Sequence, residues 1–136
     1  MIFIDTGAIV GRYFQRDQYH SAAVRIWDEL TRSREHFITS NFVLDEAFTI
    51  LARRAGYAFA ADKARRIYQS RVVLILRPSE DHEILALDFL EKYADQEVNF
   101  TDCVSFALMR THGIDRAFTF DRHFRLAGFK AVPALT

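Results

Sequence analysis

Five short runs along the chain are apolar without alternating with polar positions: Ile2 to Ile4, Phe37 to Thr39, Val72 to Ile75, Ala117 to Phe120 and, more weakly, Lys130 to Val132. Continuous rather than alternating hydrophobicity predicts strands covered on both faces, as in a parallel sheet. The segments between them repeat at helical spacing. Tyr19 to Ser33 gathers Ala22, Ala23, Ile26, Trp27 and Leu30 on one face, with Arg25, Asp28, Glu29 and Arg32 opposite. Ser40 is placed to cap a helix that runs through Ala55 and is ended by Gly56. A basic helix follows from Tyr57 to Ser70. Ser79 caps another, to about Ala94, with Ile84, Leu87, Leu90 and Tyr93 directed inward, and Thr101 caps one that closes near Gly113. The order is strand, helix, strand, two helices, strand, two helices, strand, short helix, strand. It predicts a three-layer α/β/α sandwich with a mostly parallel central sheet.

Bulk properties narrow the picture. A chain of 136 residues, half of them hydrophobic and 13 of them Phe, fits one globular domain over residues 1–136, with no linker, repeat or low-complexity stretch. Cys103 is the only cysteine, so an intramolecular disulfide is excluded. No signal peptide is recognisable, and no apolar run approaches the roughly 20 residues that span a bilayer, so a cytoplasmic protein is expected. The net charge is zero but unevenly spread. Between Arg53 and Arg77 seven basic residues face Asp62 alone, whereas between Ser79 and Asp102 eight acids face Lys92 alone. Arginine dominates the basic residues, and its planar fork suits phosphate and carboxylate partners.

Four acids stand where packing does not call for them. In open parallel sheets ligands bind beyond the carboxyl ends of the strands. Asp5 follows the first predicted strand and Asp121 follows the fourth. Asp102, in "NFTDCVSFAL", falls in the first turn of a helix, and Glu46, in "SNFVLDEAFTIL", falls in the second turn of another beside Val43, Ala47, Phe48 and Ile50. Each also has an ordinary explanation. Asp102 could serve as a first-turn charge that complements the helix dipole. Asp121 could open an Asx-turn before "RHF". Glu46 could be solvated or pair with Arg53, and Asp45 competes for any role given to it. Asp5 has the weakest packing rationale, and the four positions together are more specific than any one.

If the four carboxylates converge, repulsion decides what else is present. Two like charges 5 Å apart repel by roughly 3 kcal/mol at an effective dielectric of 20. A domain stable by about 5–15 kcal/mol does not tolerate several such pairs uncompensated. Either some acids are protonated or divalent cations bind. An all-oxygen donor set suits Mg²⁺ or Mn²⁺, ions able to activate water for phosphodiester cleavage.

With "FIDTGAIV", "SNFVLDEAFTILARRAG", "NFTDCVSFALMRTHG" and "AFTFDRHFRLAGF" in this order, essentially the whole chain resembles a PIN-domain ribonuclease, and most closely the VapC-like toxins of prokaryotic toxin–antitoxin pairs. The resemblance implies that Asp5, Glu46, Asp102 and Asp121 form the catalytic acidic pocket. Asp5 and Asp102 would be the foremost ligands of Mg²⁺ or Mn²⁺, joined by Asp121. Thr6 would hydrogen-bond within the pocket or to substrate. Gly7, where such proteins often carry Ser, is a minor departure. The implied activity is endoribonucleolytic, with RNA as substrate, a cognate antitoxin as inhibitor and a homodimer as the assembly.

Arg53, Arg54, Lys63, Arg65 and Arg66 are candidates for an RNA groove, because phosphate contacts supply most sequence-independent affinity; the alternative is a solvated helix face. The acidic run from Glu80 to Glu97 reads as such a face. The five histidines show no zinc spacing, and a packing or surface role is expected for His123. No Gly-rich phosphate loop or nucleophile elbow is present, and Cys103 reads as a small buried residue. Rival readings are a housekeeping RNA-processing nuclease, a non-catalytic RNA-binding module, and a phosphatase-like enzyme with Asp5 as nucleophile.

Overall fold

A computed structural model describes residues 1–134. Strands β1 (Ile2–Ile4), β2 (Phe37–Ser40), β3 (Val73–Leu76), β4 (Arg116–Phe118) and β5 (Lys130–Val132) pair in the order β3-β2-β1-β4-β5, every pair parallel. They are linked by helices α1 (Thr6–Tyr13), α2 (His20–Arg32), α3 (Asn41–Ala55), α4 (Tyr57–Gln69), α5 (Glu80–Lys92), α6 (Phe100–Thr111) and α7 (His123–Leu126), with a 3₁₀ turn at Ala94–Gln96. Right-handed crossovers put α1 to α4 on one face and α5 to α7 on the other. Within each layer the packing agrees: α1 lies on α2 and α3, α3 on α4, α5 on α6, and α6 on α7, while α3 and α6 also touch from opposite layers. The predicted α/β/α sandwich is therefore observed, with a sheet that is parallel throughout.

The core grows outward from β1. Ile2, Phe3 and Ile4 are fully buried, and Phe3 pairs with Ile38 on one side and Ala117 on the other. Trp27 of α2 packs its ring against Phe37 and Phe118, at centroid distances of 4.9 and 5.4 Å. Its indole N–H donates to the Ala8 carbonyl at 3.0 Å, which satisfies the one polar atom of a buried ring and fixes α2 on α1. On the opposite face Phe106 of α6 meets Phe124 edge-on at 5.0 Å. Among the described residues no helix is long and apolar enough to cross a membrane.

Several expectations need correction. The first strand is followed by two helices rather than one, because α1 is only eight residues long and carries Gly7 and Gly11, which dilute its helical signal. Gly11 has a packing reason: a Cβ there would stand 3.0 Å from the Cβ of Ala23, so the bare backbone lets α1 and α2 approach closely. The inward face of α5 differs from the expected one except at Tyr93. Ile84, Leu87 and Leu90 are exposed, while Ala86 and Phe89 are buried and Leu85 and Tyr93 pack against them. A shift of one position turns a helix by about 100° and exchanges its faces. Strand β3 is not covered on both sides, since Leu74 is 58% exposed at the sheet edge. Finally, α6 is capped by Asn99 rather than Thr101, the Asn99 side-chain oxygen accepting from the Asp102 N–H at 2.8 Å. The caps at Ser40 and Ser79, and the chain reversal at Gly56 with φ of 102°, are as predicted.

The two faces of α5 and α6 can be distinguished by mutation. Phe106→Ala leaves a cavity between α6 and α7 and is expected to destabilise the protein by about 3–5 kcal/mol in denaturant unfolding. Ile84→Ala is expected to change stability by less than about 1 kcal/mol.

Candidate active site

From β1 the chain moves outward through β2 and β3, then crosses back to β4 and β5, so β1 and β4 flank the point where strand order reverses. At such a point the connections leave in opposite directions and open a crevice at the carboxyl ends of the strands. Asp5 follows β1 directly and Asp121 lies three residues beyond β4. Glu46 comes from α3, which starts immediately after β2, and Asp102 comes from the first turn of α6, which packs on α3.

Asp5 and Asp102 each lie within the electrostatic reach of Asp121 and Glu46. Burial raises the Asp5 carboxyl from its ordinary value of 3.8 to about 7; the Thr119 hydroxyl and the Thr6 amide oppose the rise, and the charges of Asp121 and Glu46 reinforce it. Asp102 is raised further, to about 9, first by burial, then by the charges of Asp5 and Asp121, a hydrogen bond with Asp121, and Glu46. Asp5 and Asp102 are only 4% and 3% exposed, so desolvation dominates in both.

A small network fixes these groups. The Thr119 hydroxyl donates to Asp5 Oδ2 at 2.7 Å and accepts from the Asp121 N–H at 2.9 Å, tying the ends of β1 and β4 together. Asp121 Oδ1 in turn accepts from the His123 N–H at 2.9 Å, which is the Asx-turn anticipated for this segment. The turn does not exhaust Asp121, which also raises the proton affinity of its two buried neighbours. Glu46 forms no ion pair with Arg53 among the described residues. Cys103, beside Asp102, is fully buried, and burial pushes its thiol up to about 11, so it acts as core.

The donor set fits a divalent metal. Carboxylates that favour protons because they are desolvated and crowded favour a compact cation for the same reason. Ligand atoms of Asp102, Asp121 and His123 lie within 4.8 Å of one another. Thr6 Oγ1, Asn41 Oδ1 and His123 Nδ1 are buried without a hydrogen-bond partner. Asp5 is outside that closest trio, its Oδ2 engaged by Thr119, yet its charge acts directly on Asp102. Thr6 is buried at the start of α1, next to Asp5, with its hydroxyl free to take a partner.

The five basic candidates separate. Arg54 and Lys63 line a cleft of about 530 Å³ between the end of α1 and α3/α4, together with Arg12, Tyr13, Arg16 and Phe59. Lys63 lies over the rings of Tyr13 and Phe59, and Arg54 reaches Asp17 at 3.5 Å. Arg66 pairs with Asp62 at 3.4 Å and borders a second cleft with Arg12 and Trp27. Arg53 and Arg65 are exposed and line neither. None of the four acids lines these clefts, so the basic residues border the α1/α3/α4 side rather than the acidic crevice itself.

Sequence reasoning passed over Thr119, Arg12 and Arg16. A hydroxyl inside the run "AFTFD", two residues before an acid, was the available signal for Thr119. His123, for which a packing or surface role is expected, lies 2.9 Å from Asp121 Oδ1 and 3.1 Å from the Gln96 carbonyl.

A PIN domain family model matches residues 2–130. The chain belongs to the PIN domain family. It is similar to the 23S rRNA-specific endonuclease VapC20 of two Mycobacterium tuberculosis strains, CDC 1551 / Oshkosh and ATCC 25618 / H37Rv, at 38% identity over 132 residues, spanning 97% of this chain and 98% of VapC20. The crystal structure of M. tuberculosis VapC20, described as a sarcin-ricin loop cleaving toxin, matches with a TM-score of 0.86 at 36% identity, covering 95% of this chain and 96% of that one.

Burial of the PIN-domain acids has a thermodynamic signature. Asp5 and Asp102 bind protons more tightly folded than unfolded, so their contribution to stability is present below about pH 4 and is lost as pH rises through about 7 and 9. In EDTA the melting temperature is expected to fall between pH 5 and pH 9, and Asp102→Asn is expected to flatten that fall. A wild-type melting temperature that rises over the same window would contradict the burial account.

Proposed function

We infer that this chain is a divalent-metal-dependent endoribonuclease that acts as the toxin of a toxin–antitoxin pair, with Mg²⁺ or Mn²⁺ as the ion. The observation that carries this reading is the convergence of Asp5, Glu46, Asp102 and Asp121, two of them buried, at the switch point of a PIN-domain sheet. Asp102 and Asp121 would hold the ion with Asp5 beside them, while Glu46 adds negative charge from α3. When bound, the ion supplies charge that activates water and offsets the charge developing on a scissile phosphate. The protein's own groups do the positioning. Thr119 locks one oxygen of Asp5, Asn99 anchors the backbone of Asp102, and the Asx-turn orients Asp121. Thr6, with its unpartnered buried hydroxyl, is suited to donate to a carboxylate or to a phosphate oxygen.

RNA is the substrate class, and 23S rRNA, the target named for VapC20, is the specific substrate we put forward; it would place the action in the cytoplasm. Arg54 and Lys63, with Arg12 and Arg16, offer phosphate or acidic-peptide contacts in the cleft. We assign that cleft to the tail of a cognate antitoxin, since its aromatic and basic lining suits a segment carrying both apolar and acidic side chains. Arg53, Arg65 and Arg66 would extend the RNA-facing charge along α3 and α4. The exposed Ile84, Leu87 and Leu90 of α5, with Leu74 at the sheet edge, support a homodimer that covers apolar surface.

The test is Mg²⁺-dependent cleavage of ribosomal RNA by purified protein. Asp5→Asn and Asp102→Asn are each expected to lower cleavage by about a hundredfold or more with the circular dichroism spectrum retained. Undiminished cleavage by both variants would contradict the assignment, and would favour a contaminating activity over this site.

A further inference from the structure

We propose that His123 supplies a nitrogen ligand to the divalent ion, making the site a mixed nitrogen and oxygen centre formed by Asp102, Asp121 and His123. This rests on the metal-dependent reading above and adds to it a residue and a metal preference.

The ring is already oriented for the task. His123 opens the short helix α7, whose next residue, Phe124, is fully buried against Phe106. Its Nε2 lies 3.1 Å from the Gln96 backbone carbonyl, in the 3₁₀ turn that precedes α6. A carbonyl only accepts, so Nε2 carries the hydrogen and the lone pair of the neutral ring is on Nδ1. A backbone carbonyl holding the far nitrogen of a ring is the usual arrangement around a metal-binding histidine.

Nδ1 faces the acids. It is 2.9 Å from Asp121 Oδ1 and 3.8 Å from Asp102 Oδ2, and is buried without a hydrogen-bond partner. In an octahedral site with bonds of about 2.1 Å, adjacent ligand atoms lie about 3.0 Å apart and opposite ones about 4.2 Å. The 2.9 Å separation is close to that of adjacent ligands, and the 3.8 Å separation lies between the adjacent and the opposite values. A nitrogen lone pair set against two carboxylate oxygens is an unfavourable contact that a cation between them turns into three favourable ones.

The consequence is selectivity. Replacing one oxygen donor by imidazole strengthens binding of Mn²⁺ and the later divalent transition ions more than that of Mg²⁺, which prefers oxygen ligands. Loss of the ring should therefore weaken Mn²⁺ binding by at least about tenfold, with Mg²⁺ affected less.

The test is pulsed electron paramagnetic resonance of the full chain loaded with Mn²⁺, beside calorimetric titration of Mn²⁺ and Mg²⁺ into wild type and His123→Gln. The expected result is a ¹⁴N coupling from one imidazole in wild type that is absent in His123→Gln, with the Mn²⁺ over Mg²⁺ preference reduced in the variant. Mn²⁺ bound without any ¹⁴N coupling would overturn the proposal while leaving the nuclease reading intact, and would leave His123 as a counter-charge to Asp121. Folded protein that binds no Mn²⁺ would overturn both.

Discussion

Asp5 and Asp102 are carboxylates almost without access to solvent, set close to each other and to two further acids. Desolvation and like charge act in the same direction, so each group carries a proton affinity far above that of a free carboxyl. Protonation relieves part of the crowding, and hydrogen bonds and packing hold the groups in place. The fully buried β1 places Asp5, the Thr119 bridge joins β1 to β4, and the Asn99 cap fixes the start of α6. The aromatic packing of Trp27 on one face and Phe106 on the other keeps the sheet from relaxing away from the repulsion. The energy held in the crowded carboxylates is what a divalent ion would release on binding.

Much of this was legible in the sequence, for physical reasons that can be named. Strands buried on both sides read as unbroken apolar runs, which located β1, β2 and β4 to within two residues at each end, and the weaker run at the edge strand β5 was placed as well. Charge is rare at the end of such a run, which singled out Asp5 and Asp121. Helix starts in apolar surroundings singled out Glu46 and Asp102, the family resemblance implied one pocket for all four, and their electrostatic coupling is consistent with it.

What was not legible depended on neighbours distant in the chain. Helix α1 carries Gly11 where it packs closely on Ala23 of α2, a contact that no local pattern reveals. The orientation of α5 follows from its fit to α6, and a helix with apolar residues around most of its circumference offers two readings that differ by one position. The coverage of β3 depends on its being an edge strand, which is a property of topology rather than of composition. Thr119 and His123 acquire meaning only once Asp5, Gln96 and Asp102 stand beside them. Similarly, Arg12 and Arg16 join Arg54 and Lys63 through the packing of α1 on α3, not through proximity in sequence.

The central claim is that these crowded carboxylates are a divalent-metal site. It is tested most directly by anomalous diffraction from crystals soaked in Mn²⁺. A Mn²⁺ peak about 2.1 Å from oxygens of Asp102 and Asp121, on the side facing Asp5, is the predicted result. Mn²⁺ bound only elsewhere on the protein, with the acidic crevice unchanged, would contradict it.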